Sequence, residues 1–342
     1  MRSFASDNNS GIHPAILKAI QDCNTDHTVG YGDDVYTKRA IELFRQHFGQ
    51  HTEVFFVFNG TASNTLGLMH ATKTFNSVIC ADTSHVNTDE CGAPERIAGI
   101  KLIPVPNRNG KIKPADILPH LEGFGFEHHS QPGVISITQS TEMGTVYKPK
   151  EIKELADLAH QNSMLLHIDG SRLANAAVAL GLPFKNFTSD CGVDIVSFGG
   201  TKNGMMMGEA ILFLNQKLAK DFKYIRKQNM QLFSKMRFIS AQFIAWFEDE
   251  LWKKNAQHAN SMAQKLAKEI QTIPQIKITV PVEVNGVFAE IPQHWIEPLK
   301  KEFFFYTWNH LRNEVRWMCS FDTTDKDIEQ FIGLLKKFSH SE

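Results

Sequence analysis

Residues 164–172 read MLLHIDGSR and residues 194–204 read DIVSFGGTKNG, and these two stretches decide the fold of the chain. Each begins with an apolar run that predicts a buried strand, and each ends in a polar turn that holds Asp169 or Lys202. Similar apolar runs occupy residues 54–58, 77–80, 101–105, 133–138 and 209–214, and helical patterns occupy residues 62–73 and 150–162. Apolar strands separated by helices are typical of a parallel sheet covered on both faces. We predict an α/β fold with a mostly parallel seven-stranded sheet between helices, in which Pro104 places the third strand at an edge or at a strand end.

The C-terminal part of the chain predicts a second, smaller unit. Residues 217–270 have a helical pattern, and residues 246–257 predict a long connecting helix. Apolar runs at 276–280, 286–291 and 315–319 then predict strands, and residues 326–338 predict a closing helix. We expect a large domain of residues 1–245, which includes the N-terminal segment, and a small α+β domain of residues 246–342.

Composition excludes several classes of protein. The 342 residues are 42% apolar, which is enough to bury a core, and 36 basic against 37 acidic residues leave a net charge of −1. That balance argues against a nucleic-acid or membrane-surface partner. No apolar run approaches a membrane span, and the N-terminus lacks a secretory pattern. Five cysteines without a CxxC pair, and histidines without an HExxH or HxH pattern, predict a cytoplasmic location and no bound metal.

Three features at predicted strand ends carry the chemistry: Asp169, Lys202 and the turn Gly60-Thr61. Ligands of open α/β sheets bind at the carboxyl ends of strands. Each feature also has a structural interpretation, since Asp169 could cap a helix and Lys202 could be solvated. The Gly60-Thr61 loop lacks both the GxxxxGK[ST] and the GxGxxG patterns, which disfavours nucleotide binding. Pyridoxal 5'-phosphate (PLP) needs a lysine, an acid opposite its ring nitrogen and a phosphate site. Asp169, Lys202 and the glycine turn together predict PLP.

The order and spacing of several motifs resemble the threonine aldolase family of fold-type-I PLP-dependent enzymes, within the β-eliminating lyase group. These motifs are ASDN (5–8), YGDD (31–34), FNGTASN (58–64), SHVNTDE (84–90), HIDGSR (167–172), FGGTKNG (198–204) and Arg316. The Gly-Gly-Thr-Lys-Asn-Gly form of the lysine loop is similar to that of the bacterial low-specificity branch. The resemblance covers nearly the whole chain.

The resemblance implies a role for each matching residue. Lys202 would carry PLP covalently, Asp169 would pair with the ring nitrogen, and His85 would lie over the ring, although His85 could also be a packed loop residue. The implied cofactor set is Gly60, Thr61, Ala62, His85, Asp169, Arg172, Thr201 and Lys202. The implied substrate set is Ser6, Arg172 and Arg316 for the carboxylate, with Tyr31 and Asp34 from the neighbouring subunit of a homodimer or homotetramer. Lys235 and Arg237 would add charge near a phosphate across the same interface, or form a solvated helix face.

One departure from the family pattern concerns the general base. Where the family has a histidine that could help with the substrate hydroxyl, this chain has Glu142, in the stretch STEMG at residues 140–144. The base is therefore open between His85, Glu142 and a water that they hold.

The resemblance implies retro-aldol cleavage of L-threonine, L-allo-threonine and related β-hydroxy-α-amino acids to glycine and an aldehyde. A PLP-dependent β-eliminating lyase or amino-acid racemase would use the same residues and remains an alternative. A catalytically silent PLP-binding protein is a third hypothesis, which the presence of Lys202, Asp169, Arg172 and Arg316 disfavours.

Overall fold

A seven-stranded sheet forms the centre of the molecule. The structure, a computed structural model, describes residues 2–340. The strands of this sheet are β1 (Glu53–Val57), β2 (Asn76–Ala81), β3 (Lys101–Val105), β4 (Gln131–Thr138), β5 (Leu165–Gly170), β6 (Ile195–Gly199) and β7 (Glu209–Phe213). Their order is β1-β7-β6-β5-β4-β2-β3, and β7 alone runs antiparallel to its neighbours. The predicted sheet is confirmed, and β3 with Pro104 lies at its edge.

Helices cover the sheet and continue into the C-terminal part of the chain. They are α1 (Pro14–Asp22), α2 (Val35–Phe48), α3 (Gly60–Ala71), α4 (His85–Thr88), α5 (Pro114–Ile117), α6 (Pro149–Gln161), α7 (Leu173–Leu180), α8 (Phe222–Gln228), α9 (Arg237–Phe247), α10 (Leu251–Ile270), α11 (Gln293–Glu302) and α12 (Asp325–His340). Aromatic rings of α2, β6 and α9 fill the main core; Phe44 lies edge-on to Phe198 at 5.2 Å and to Phe243 at 5.0 Å. Within residues 2–340, no helix combines the length and the apolar character that crossing a membrane requires.

A second, antiparallel sheet lies in the C-terminal region, as expected. Its order is β10-β11-β9-β8, with β8 (Lys277–Ile278), β9 (Gly286–Glu290), β10 (Tyr306–Asn309) and β11 (Glu314–Met318). The run at 276–280 yields only the two-residue β8, and the sequence analysis missed β10. Strand β10 is a bulged edge strand whose residues are all at least partly exposed, so it lacks the apolar alternation by which strands are recognised.

The predicted connecting helix is interrupted. Helix α9 ends at Phe247 and α10 begins at Leu251, with Asp249 and Glu250 in left-handed conformations between them. The break brings Trp246 and Trp252 into one core, with their rings 6.0 Å apart. In a continuous helix, residues six positions apart would point to different faces. The domain boundary at residues 245/246 stays a prediction.

The N-terminal segment is fastened to the C-terminal sheet. The backbone N–H of Phe4 donates to the carbonyl of Phe304 at 2.8 Å, and the N–H of Met318 donates to the carbonyl of Phe4 at 2.7 Å. The Phe4 ring is fully buried in the C-terminal core. This anchoring carries Ser6 and Asp7 toward the carboxyl ends of the main sheet.

Candidate active site

Two adjoining cavities lie at the carboxyl ends of the parallel strands. The inner cavity, of about 290 Å³, is lined by residues that include Gly60, Thr61, Ser171, Thr201 and Glu209. The outer cavity, of about 480 Å³, is lined by residues that include Ser6, Glu142, Arg172, Tyr306, Trp308 and Arg316. Asn8, His85 and Lys202 line both cavities. The structure therefore brings most of the predicted site residues together.

Asp169 lies near the end of β5 as a buried carboxylate whose oxygens are hydrogen-bonded. Oδ1 accepts from the backbone N–H and the hydroxyl of Ser171, at 3.0 and 2.7 Å, and Oδ2 accepts from Asn64 Nδ2 at 2.9 Å. Burial opposes ionisation, but Lys202 and the Ser171 hydroxyl hold the pKa of Asp169 below its ordinary value. Asp169 is therefore a stable anion.

Lys202 lies in a short 3₁₀ turn, Thr201–Asn203, directly after β6. Burial and the neighbouring Arg172 guanidinium lower the pKa of its amine, against the opposing effect of Asp7 and Asp169. A lowered pKa leaves more of the amine unprotonated and nucleophilic. A Cβ atom on Gly200 would overlap the sulfur of Met205, so a larger residue there would have to displace the Met205 side chain.

Helix α3 points its N-terminus into the inner cavity. Asn59 caps the helix, and its Oδ1 accepts the backbone N–H of Ala62 at 2.8 Å. The N–H groups of Gly60 and Thr61 lie in the first turn, where N–H groups have no partner within the helix and suit an anion. Gly60 and Thr61 line the inner cavity, whereas the N–H of Ala62 is committed to Asn59. The prediction for Ala62 therefore has less support than those for its neighbours.

Glu209 is a site residue that the sequence analysis missed. It begins β7, lines the inner cavity and is buried, and burial raises the pKa of its carboxyl to about 7 despite a hydrogen bond from the Thr201 side chain. The Thr201 hydroxyl also accepts the N–H of Gly208 at 3.1 Å. The sequence feature that could have identified Glu209 is the single acidic residue at the start of the otherwise apolar run 209–214.

His85 and Glu142 meet at the boundary between the cavities. The backbone N–H of His85 and the hydroxyl of Thr138 both donate to Glu142 Oε1, at 2.8 and 2.7 Å. Glu142 Oε2 is buried and has no hydrogen-bond partner among residues 2–340. Burial raises the pKa of Glu142 to about 6. A hydrogen bond with Glu90 raises the pKa of His85.

Arg172 is held by Asp7, which the sequence analysis quoted in a motif without assigning it a role. Arg172 Nε and Nη2 donate to the two Asp7 oxygens at 2.6 and 2.8 Å, and Asn285 Nδ2 donates to Asp7 Oδ2 at 3.1 Å. A fork of this kind fixes the guanidinium plane. The side chain of Ser6, beside Asp7, accepts the backbone N–H of Asn8 at 3.2 Å.

Arg316, on β11, also lines the outer cavity. Its guanidinium carbon is 4.8 Å from the centre of the Trp308 ring, and Nη2 donates to the carbonyl of Ala5 at 3.1 Å. Its Nε is buried and has no hydrogen-bond partner within the described part of the chain. Burial and Arg172 lower the pKa of Arg316 to about 10.

The residues predicted to act across a subunit interface lie elsewhere in this chain. Asp34 is buried and caps α2, with its two oxygens accepting from the N–H and the hydroxyl of Thr37, both at 2.8 Å. Tyr31 is exposed on the surface. Lys235 and Arg237 line a separate cavity of about 190 Å³ together with residues 26–30. Their roles stay predictions.

No group of three or more His, Cys, Asp or Glu in residues 2–340 has the arrangement of a metal site.

Comparison with known proteins identifies the family. The beta-eliminating lyase family model matches residues 3–293. The low specificity L-threonine aldolase of Pseudomonas sp. (strain NCIMB 10558) is 44% identical over 334 residues, which are 97% of this chain and 96% of that protein. The Pseudomonas aeruginosa protein of the same name is 44% identical over 337 residues, 98% of this chain and 96% of its own.

A solved structure extends the comparison to the fold. The threonine aldolase of Leishmania major superimposes with a TM-score of 0.93 at 28% identity, over 99% of this chain and 100% of that chain. The predicted resemblance is thereby confirmed. The chain belongs to the beta-eliminating lyase family, as a relative of its threonine aldolases.

Proposed function

We propose that this chain is a PLP-dependent lyase that cleaves L-threonine, L-allo-threonine and related β-hydroxy-α-amino acids to glycine and an aldehyde. The observation that carries the proposal is the position of Lys202 in the inner cavity, with the buried Asp169 close enough for their charges to interact. The Lys202 amine, whose pKa is lowered, lines the space into which α3 points its N-terminus. Asn64 and Ser171 line the same space and hold the buried Asp169 carboxylate. The similarity to curated L-threonine aldolases over nearly the full length supports the substrate class.

The residues of the inner cavity fit PLP. Lys202 would hold the cofactor covalently, and Asp169 would pair with its protonated ring nitrogen. The N–H groups of Gly60 and Thr61, with the hydroxyl of Thr201, would hold its phosphate. His85 would lie against the ring. When bound, the cofactor supplies an electron sink for the electrons of the breaking Cα–Cβ bond.

The outer cavity supplies the substrate carboxylate site. Asp7 bonds to Nε and Nη2 of Arg172, which leaves Nη1 for a ligand, and Arg316 lines the same cavity. Two arginines with Ser6 would fix the carboxylate and so orient the Cα–Cβ bond. A fixed carboxylate also favours a single substrate orientation.

The substrate hydroxyl must lose its proton as the Cα–Cβ bond breaks. His85, Glu142 and a water held by them are the candidates for this base. Glu142 lines the outer cavity, and His85 lines both cavities. General-base assistance contributes roughly 10²–10⁴-fold. Loss of any one base should therefore cost less than loss of Lys202.

We further propose a homodimer or homotetramer in the cytoplasm, with Tyr31, Asp34, Lys235 and Arg237 near the subunit interface. Exposed apolar side chains at Val29, Val35 and Met230 support this surface as the place of contact. All five cysteines are free thiols, in keeping with a reducing compartment. A monomeric mass for the PLP-loaded protein in light scattering would contradict the oligomer.

The Lys202→Ala variant tests the proposal. Wild type incubated with PLP should show a visible absorbance band of lysine-bound cofactor and release acetaldehyde from L-threonine, followed through a coupled reductase. Lys202→Ala should lose that band and at least about 10⁴-fold of the rate, since the amine takes part in every turnover. Lys185→Ala, which removes an exposed lysine, serves as the control and should behave as wild type.

A visible band in wild type without acetaldehyde would keep the cofactor and overturn threonine cleavage. β-Elimination or racemisation, which would use the same lysine, would then be identified by a 2-oxo acid or an inverted amino acid. The absence of the band in wild type would overturn PLP binding.

A further inference from the structure

A buried carboxylate lies directly behind His85. The Glu90 side chain is fully buried, whereas the His85 side chain is 38% exposed, and Glu90 Oε1 lies 2.8 Å from His85 Nδ1. A carboxylate accepts hydrogen bonds, so this contact requires the proton on Nδ1. Nε2 is then the ring nitrogen left for the cavities that His85 lines.

The carboxylate of Glu90 is itself held in place from a different element. Asn64, buried on α3, donates from Nδ2 to Glu90 Oε1 at 3.1 Å and to Asp169 Oδ2 at 2.9 Å. Asn64 therefore bridges Glu90, the partner of His85, and Asp169, the carboxylate proposed to face the cofactor ring nitrogen. Both contacts lie deep in the protein, where hydrogen bonds of charged groups gain strength.

Several other charged groups surround the imidazole. Asp169 on β5 favours its cationic form and Lys202 after β6 opposes it, and Glu90 acts through both its hydrogen bond and its charge. Glu142, in the loop after β4, accepts the backbone N–H of His85, and Asp89 lines the outer cavity beside it. Among these groups, Glu90 is the one whose side chain bonds to the ring.

The geometry points to Glu90 as the positioning residue that holds His85 with Nε2 facing the outer cavity, where it takes the proton of the substrate's β-hydroxyl. The inference deepens the proposed function and rests on it. In this step the O–H bond breaks, its proton goes to Nε2, and its electron pair forms the aldehyde C=O. The Cα–Cβ bond breaks at the same time, and PLP, when bound, would supply the sink for its electrons.

The tautomer of His85 provides a test that needs no change to Glu90. Holoenzyme with ¹⁵N-labelled histidine would be examined by NMR, and the His85 signals assigned from their loss in His85→Asn. We expect the neutral ring to carry its proton on Nδ1. A neutral ring with its proton on Nε2 would overturn the inference.

The Glu90→Gln variant tests the catalytic consequence. Loss of the anion should lower the pKa of His85, since the hydrogen bond and the charge of Glu90 favour the cationic ring. The acid limb of kcat/KM for L-threonine should move to lower pH by the same amount. We expect kcat at its plateau to fall by about tenfold or more, with KM changed less than twofold. Glu90→Asp keeps the carboxylate and should therefore show a smaller decrease in the His85 pKa than Glu90→Gln.

Two comparisons separate positioning from a general structural effect. Glu95→Gln removes an exposed acid from the same segment and should leave the pH profile and the His85 pKa unchanged. In a His85→Asn background, Glu90→Gln should lower kcat by less than about twofold, because its effect passes through His85. A full additional loss in that background would contradict the inference.

The readouts also separate this inference from the proposed function. The NMR measurements test the pairing of Glu90 with His85 whether or not threonine is the substrate. If wild type released acetaldehyde while Glu90→Gln kept both the pH profile and the His85 pKa, the inference alone would fail. If wild type released none but showed the expected tautomer and pKa shift, the proposed function and the proton transfer to His85 would fail, while the positioning of His85 by Glu90 would stand.

Discussion

At the residue scale, the site is a set of buried charges that restrain one another. Two arginines and a lysine lie near the carboxyls of Asp7, Asp169 and Glu209, which are buried, and of Glu142, which is partly buried. Asp7 and Asp169 keep a lowered pKa because cations lie close to them, whereas burial raises the pKa of Glu142 and Glu209. The site therefore combines stable anions with carboxyls that can exchange protons near neutral pH.

The raised pKa of Glu142 predicts a pH-dependent contribution to stability. The folded protein holds this proton up to about pH 6, while the unfolded chain releases it near 4.5, so stability falls as pH rises between these values. Between pH 4.5 and 7.5, wild-type apoprotein should lose about 2 kcal/mol more unfolding free energy than Glu142→Gln. Urea unfolding at both pH values measures this difference.

Glu154→Gln is the control, because it removes an exposed acid of α6. Its pH dependence should match that of wild type. Equal pH dependence for Glu142→Gln and wild type would show that the Glu142 carboxyl is not perturbed by burial.

The roles of site residues could be predicted from the sequence where a local pattern marks their position. Lys202, Asp169 and Gly60 each follow an apolar run, and a strand end is recognisable from sequence. Asp7 and Asn64 act through partners more than 100 positions away, Arg172 and Asp169 respectively. No local pattern reports such contacts, so only the folded chain could assign their roles.

At the scale of elements, helix α3 connects local sequence to the cofactor site. Its cap, Asn59, fixes the first turn, in which Gly60 and Thr61 line the inner cavity. Asn59→Ala should lower the unfolding free energy by about 1 kcal/mol. It should also raise the dissociation constant of PLP by about tenfold, because the first-turn N–H groups lose their fixed direction. Absorbance titration with PLP measures the second effect.

Thr324→Ala is the matched control for this prediction. The Thr324 hydroxyl caps α12 by accepting the N–H of Asp327 at 3.2 Å. This variant should lose a similar unfolding free energy while binding PLP as wild type does. If both variants bound PLP equally well, α3 would have no part in holding the phosphate.

The elements themselves were predictable to different degrees. The central strands are buried on both faces and therefore apolar throughout, so their positions follow from the sequence within a few residues. Strand β10 and the break between α9 and α10 were missed. The former pairs only at an edge, and the latter depends on the packing of Trp246 against Trp252. Both depend on the tertiary structure rather than on local pattern.

At the scale of the whole molecule, the N-terminal segment and the C-terminal sheet are hydrogen-bonded to each other, and both line the outer cavity. Phe4 is buried in the C-terminal core, while Asp7, three residues later, holds Arg172 beside β5. Arg316 of the C-terminal sheet in turn donates to the carbonyl of Ala5. The outer cavity therefore needs both ends of the chain, and its arginines depend on the correct assembly of the complete fold.

The products formed from L-threonine test the central claim most directly. ¹H NMR of PLP-loaded wild type with L-threonine would follow glycine and acetaldehyde together during the reaction. The account predicts one glycine for each acetaldehyde, with no 2-oxobutanoate and no change in the configuration of the remaining threonine. Formation of 2-oxobutanoate and ammonia, or of the inverted amino acid without glycine, would contradict it.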